Sequence, residues 1–249
     1  MTYPVQGPDL SIWDDDNSTA VQYNFQKTVA AGAPFVIVKS SQSTWMDQDL
    51  LYNWSSARNF SLLRGAYHYM TYDAAAISQA DYMWSLLRND PGELDLVIDY
   101  ECRTNNPGRA TSLNYLKTFG ERLIAITGNI PMIYTSPGFW AEFGSSDLYW
   151  QKYKLWLANY TTIDPATGQL KPPTIPAPWR QWLFWQFTDK ADGLKYGSEA
   201  KEIDMNYWYG SLEQLYAYAG KQPPTPSWEQ SMDAWARQPT WSPYTGPRP

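Results

Sequence analysis

The segment Leu94-Asp95-Leu96-Val97-Ile98-Asp99-Tyr100-Glu101 ends an apolar run with two carboxylates two residues apart. Side chains alternate between the faces of a β-strand. Val97, Asp99 and Glu101 therefore share one face, and Leu96, Ile98 and Tyr100 the other. The two carboxylates lie about 7 Å apart along such a strand. Repulsion and partial burial raise one pKa, leaving a protonated acid beside an ionised partner. That pair can protonate a glycosidic oxygen and stabilise an oxocarbenium-like transition state. The competing expectation is a solvated strand end, or a pairing of the acids with Arg103. Asp9 opens the first apolar run and Asp204 lies in the last. Taken singly, each is expected as a turn or cap residue. If the first and last strands are neighbours in a closed barrel, both reach the same mouth.

Other residue types narrow the chemistry. The chain carries 14 Trp and 19 Tyr in 249 residues. Their flat apolar faces and polar edges suit sugar rings, although an aromatic-rich core is the plainer explanation. The single cysteine, Cys102, excludes an internal disulfide and a cysteine-cluster metal site. The single histidine, His68, excludes any site that needs two imidazoles. No metal and no cofactor are expected. Alternation turns His68 away from Tyr67, so a hydrogen-bonded structural role is expected. Cys102 is expected to be a small buried residue. Nineteen basic residues against 25 acidic ones give a net charge of −6. That balance argues against nucleic acid as a partner. No apolar stretch reaches 18 residues, so membrane insertion is not expected. The N-terminus lacks the basic and apolar regions of a signal peptide. A monomer is expected.

These residues need elements to hold them. Eight apolar runs of strand length are punctuated by Gly, Pro or charge: 10–12, 35–39, 65–69, 94–101, 131–135, 155–158, 182–187 and 203–206. Helical spacing occupies 20–31 (Val21, Phe25, Val29) and 110–126 (Leu113, Leu116, Phe119, Leu123). It also occupies 74–88, where Ile77, Ala80, Trp84 and Leu87 share a face and Asp73 could cap. A less regular pattern covers 46–59, and the helix signal weakens past Pro137. Alternation early and strands later predict an α/β fold, an irregular (β/α) TIM-like barrel with eight strands and fewer than eight helices. The barrel domain is expected over 1–219. Residues 220–249 read as a Pro/Trp-rich linker and arm, with a short helix near 228–237, expected to pack back on the barrel.

Eight motifs occur in order: Gly7-Pro8-Asp9-Leu10-Ser11, Phe35-Val36-Ile37-Val38-Lys39, Gly65-Ala66-Tyr67-His68, Val97-Ile98-Asp99-Tyr100-Glu101, Ile133-Tyr134-Thr135-Ser136, Leu155-Trp156-Leu157-Ala158-Asn159-Tyr160, Phe184-Trp185-Gln186-Phe187 and Ile203-Asp204-Met205-Asn206. The set resembles glycoside hydrolase family 25, the lysozymes of phage endolysins and of some bacteria and fungi. It spans about residues 5–218. The resemblance implies cleavage of the β-1,4 bond between N-acetylmuramic acid and N-acetylglucosamine in peptidoglycan. Glu101 matches the family's general acid. Asp99 matches the partner that orients or stabilises the substrate's 2-acetamido group. Asp9 and Asp204 match the other acidic positions. Tyr67, Tyr134, Trp156 and Trp185 match aromatic positions around the sugar groove. The implied chemistry retains configuration with help from the 2-acetamido group and needs neither a protein nucleophile nor a metal.

Two departures stand out. Pro8 replaces the residue that precedes the acid in the family's Gly-Ile-Asp-Val-Ser opening. The family's Thr-Glu-Gly after the lysine is here Ser40-Ser41-Gln42-Ser43, so a Glu common in the family is replaced by Gln42 or is missing. Val97 excludes the chitinase D-x-x-D-x-D-x-E pattern, which needs an acid there. The expected role is cell-wall lysis, as a phage endolysin acting from the host cytoplasm or as a processed secreted enzyme. The alternatives are a non-catalytic glycan-binding protein or a phage structural protein of the same fold.

Overall fold

The computed structural model describes residues 5–14, 22–163 and 170–223. Its strands form one sheet: β1 (Gln6–Leu10), β2 (Phe35–Gln42), β3 (Trp45–Met46), β4 (Leu63–Tyr69), β5 (Val97–Asp99), β6 (Met132–Thr135), β7 (Lys154–Ala158), β8 (Phe184–Asp192) and β9 (Glu202–Trp208). The order is β1-β9-β8-β7-β6-β5-β4-β2-β3, and β1 also pairs with β2. That pairing closes eight strands into a barrel, with β3 hairpinned onto the end of β2. All barrel pairings are parallel except those of β9, which runs antiparallel to both β8 and β1. Seven α-helices are present among the described residues: α1 (Phe25–Ala30), α2 (Leu50–Asn59), α3 (Ala76–Leu87), α4 (Arg109–Thr127), α5 (Pro137–Phe143), α6 (Gly193–Tyr196) and α7 (Leu212–Tyr218). The expected irregular barrel is the observed one.

Alternation divides the strand side chains into two layers. Phe35, Ile37, Leu63, Val97, Met132, Trp156, Phe184 and Trp208 fill the interior. Val36, Val38, Ala66, Ile98, Ile133, Leu155 and Leu157 face the helices, packing with Ala80, Met83 and Leu87 of α3 and Leu116, Phe119 and Leu123 of α4. Gly7 lets β1 approach β2, because a Cβ there would lie 2.3 Å from the Phe35 carbonyl oxygen.

Several boundaries differ from expectation. The first strand is Gln6–Leu10, earlier than 10–12, because residues 12–14 form a 3-10 turn. β5 keeps only three ladder residues of the expected 94–101. Backbone bonds from Met132 N–H to the Leu96 carbonyl and from Tyr100 N–H to the Tyr134 carbonyl still extend its path. Asp73 does not cap α3: it accepts from the Thr71 hydroxyl, while the Gln79 side-chain amide folds back onto the Thr71 and Ala74 carbonyls. The buried face of α3 is Ala76, Gln79, Ala80, Met83 and Leu87, and Ile77 is exposed. In α1, Phe25 and Thr28 are buried but Val29 is exposed, and Val21 lies outside the described residues. α2 starts at Leu50 because Trp45 and Met46 pair with β2. Past Pro137, α5 follows a Ser136 cap with Pro137 in its first turn, and α7 carries a Ser211/Gln214 capping box. The expected helix near 228–237 lies outside the described residues.

Candidate active site

β5 delivers Asp99 to the mouth of the barrel, where the parallel strands end. Val97 packs in the interior and Ile98 and Tyr100 pack under the helices, so Asp99 points inward. It is 4% exposed, and its Oδ1 has no hydrogen-bond partner. Burial is the main cause that holds its carboxyl well above the ordinary range, the charge of Glu101 adds to this, and Lys39 opposes it. Glu101, half-buried, is raised by burial and by the charge of Asp9, again against Lys39. Arg103 pairs with neither acid. It binds Glu142 at 2.6 Å and stacks over Phe139 and Phe143. The solvated or Arg103-paired alternative for the two acids is therefore not observed.

Asp9 and Asp204 meet at the same mouth. Strand β9 is reversed, so Asp204, near its start, lies beside the end of β1. Gln186 of β8 joins the two acids: its Nε2 donates to Asp9 Oδ2 at 3.0 Å and to Asp204 Oδ2 at 3.0 Å. Its Oε1 accepts from Tyr134 at 2.8 Å and from Tyr160 at 3.0 Å, which fixes the amide's orientation. Asn206, on the same face of β9 as Asp204, donates to Asp9 Oδ2 at 2.7 Å and accepts from Trp156 Nε1 at 2.7 Å. Burial raises both acids. Asp9, with two amide donors, rises to about 6. Asp204, with one such donor and the charge of Asp9 beside it, rises to about 9.

A cation sits among these acids. Lys39 is buried, and its Nζ donates to Gln42 Oε1 at 3.0 Å. In a regular strand residues three apart point to opposite faces. Here the register shifts between Lys39 and Ser41, so that Lys39 pairs with Tyr67 and Gln42 with Tyr69. The bulge returns Gln42 to the face of Lys39. The ammonium lies 5.8 Å from the Trp45 ring centre and 5.4 Å from that of Tyr69.

The expected aromatic residues divide into two groups. Tyr67 and Tyr134 lie inside the mouth, packed edge-on against Trp156 at ring-centre distances of 6.0 and 4.6 Å. Trp156 is buried and reaches the site through Asn206. Trp185 is 0% exposed and packs on the outer face of the sheet, with its Nε1 donating to the Asn159 carbonyl at 2.7 Å. The structure does not bring it to the mouth, because it stands one residue out of phase with Gln186. Period-two alternation along β8 and β9 could have identified Gln186 and Asn206. Other aromatics are exposed, among them Trp13 in the 3-10 turn after β1 (81% exposed), Trp45 in the β2–β3 hairpin (47%) and Tyr160 after β7 (49%). The turn and the hairpin region are tied by a 3.3 Å bond from the Ile12 N–H to Asp47 Oδ2.

His68 is fully buried on the outer face, with Nδ1 2.8 Å from Ser41 Oγ and Nε2 3.1 Å from Gln79 Oε1. Burial depresses it to about 4, so it is neutral and structural as expected. Cys102 is free and buried.

The family model described as Glycosyl hydrolases family 25 matches residues 8–193. The N,O-diacetylmuramidase of Arthroderma benhamiae is 29% identical over 228 residues, covering 86% of this chain and 86% of the relative. The N,O-diacetylmuramidase of Chalaropsis sp is 29% identical over 228 residues, covering 85% of this chain and 97% of the relative. Among solved structures, the bacterial lysozyme from Streptomyces coelicolor superposes with a TM-score of 0.71 at 25% identity, covering 86% of this chain and 96% of that one.

Proposed function

The chain belongs to glycosyl hydrolases family 25, and from that premise we propose that it hydrolyses the β-1,4 bond between N-acetylmuramic acid and N-acetylglucosamine in peptidoglycan. The observation that carries this reading is the half-buried Glu101 beside a buried Asp99 whose Oδ1 has no partner. Glu101, held protonated by burial and by the charge of Asp9, donates its proton to the glycosidic oxygen as the C1–O bond breaks. The substrate's own acetamido carbonyl oxygen attacks C1 and forms a cyclic oxazolinium. Asp99, whose ionised form Lys39 favours against its burial, accepts the acetamido N–H on Oδ1 and balances the positive charge that develops there. Glu101, now a carboxylate, takes a proton from water as the water opens the ring at C1, and configuration is retained.

Asp9 and Asp204, clamped by Gln186, shape the far wall and supply acceptors for sugar hydroxyls. Tyr67 and Tyr134 line the wall beside them. Trp13, Trp45 and Tyr160 offer stacking faces at the rim. Trp156 acts through Asn206 and does not touch sugar. The biological role proposed is cell-wall lysis of the endolysin type, as the sequence resemblance implies.

Digesting purified peptidoglycan and identifying the new reducing-end sugar tests this reading. N-acetylmuramic acid at that end is expected. N-acetylglucosamine, or no new reducing end, would overturn it.

A further inference from the structure

Gln42 faces the site from the bulge on β2 and meets Lys39 with a neutral amide. An acid at that position would pair with the ammonium at hydrogen-bond distance. We propose that Gln42 is a positioning residue whose neutrality leaves the charge of Lys39 directed at Asp99 and Glu101, where it steadies carboxylate charge on both. This rests on the roles given to those two acids above.

The geometry around Lys39 supports the assignment. Its stem is buried within the barrel wall, and the rings of Trp45 and Tyr69 flank the ammonium. They confine the head group and exclude water from it, which strengthens its field. The charges facing it come from three places: Asp99 and Glu101 at the end of β5, and Asp47 just past β3. From β4 the groups are the phenols of Tyr67 and Tyr69, with His68 neutral on the opposite side of the sheet. Asp47 already accepts backbone N–H bonds from Ile12 and Asp49, so its charge is partly met elsewhere. Gln42 supplies only a carbonyl dipole. The positive charge is shared between Asp47 and the acid pair, and on the pair it favours the ionised forms and opposes the burial that raises them.

A carboxylate at 42 would neutralise Lys39 and add a negative charge beside the pair. Both acids would then hold protons to higher pH. The alkaline limb of the rate profile, where Glu101 loses its proton, would move up, and so would the acid limb set by Asp99.

The test is the isosteric variant Gln42→Glu, assayed for peptidoglycan cleavage across pH, with ¹³C titration of the Asp99 and Glu101 carboxyls in the same protein. Both limbs and both carboxyl titrations are expected to move up by about half a unit or more. Unmoved titrations in the folded variant overturn the proposal. If Gln42→Glu does not fold, Lys39→Met must give the same upward shift, and its absence overturns the proposal equally. A wild-type chain that yields no muramic-acid reducing ends would instead refute the muramidase reading, and the carboxyl titration would still decide this one.

Discussion

Gln186 Nε2 lies 3.0 Å from Asp9 Oδ2, and the same nitrogen lies 3.0 Å from Asp204 Oδ2. One amide thus supplies both of its protons to two acids on different strands. Tyr134 and Tyr160 occupy its oxygen, so the amide cannot flip to present an acceptor. Gln186→Glu would remove the amide donor and put a third carboxyl beside two acids. Hydrogen bonds to charged groups contribute about 1.5–3 kcal/mol each, so kcat is expected to fall by about 10²-fold. Gln186→Ala should cost similar activity, with a lower Tm. Steady-state kinetics on soluble glycan fragments, beside a thermal melt, check this. Wild-type kcat in either variant would remove Gln186 from the machinery.

The rim aromatics and Trp185 should separate cleanly. Trp13→Ala and Trp45→Ala each remove an exposed stacking face, and each is expected to raise KM on long glycan strands by about threefold to tenfold. Their Tm should change little, because neither ring belongs to a core cluster. Trp185→Phe should do the reverse: a lower Tm from the lost Asn159 bond and packing, with KM unchanged. Kinetics on long and short glycans with melts of all three variants would show the crossover.

Burial raises Asp9 to about 6, Asp14 to about 7 and Asp204 to about 9, all above an unfolded value of 3.8. The folded chain therefore holds protons that the unfolded chain has released, between about pH 4 and each folded value. Stability from these groups is fully present below pH 4 and is lost as pH rises through 6, 7 and 9. Tm is expected to fall from about pH 5 to pH 9 at constant ionic strength. Asp204→Asn should flatten the upper part of that fall. A wild-type Tm that rises over the same window would contradict the raised values of these acids.

The barrel was legible because its strands are short apolar runs broken by Gly and Pro, and because the apolar residues of α4 recur at spacings of three and four. The D-x-E face could be read for the same reason: alternation placed Asp99 with Val97. Asp9 and Asp204 could be brought together only by assuming closure, and β1 pairs with both β2 and β9 as that requires. What could not be read depends on tertiary context. The bulge after Lys39 reverses the phase of β2, so no periodic rule places Gln42 beside Lys39. The resemblance implies a groove position for Trp185, but the phase of β8 gives that face to Gln186. Asp73 does not cap α3, which has no side-chain cap: its carboxylate is taken by Thr71, a tertiary choice that no capping rule describes. The rim role of Trp13 depends on exposure, which composition does not reveal.

Residue 101 must hand a proton to the leaving sugar for the proposed cleavage to proceed. Comparing Glu101→Gln with the wild type on purified peptidoglycan, by appearance of reducing ends at the wild-type pH optimum, tests it most directly. Glutamine keeps the size and removes the proton, so the rate is expected to fall by about 10²–10⁴-fold with the Tm retained. A variant that cleaves at the wild-type rate would contradict the account.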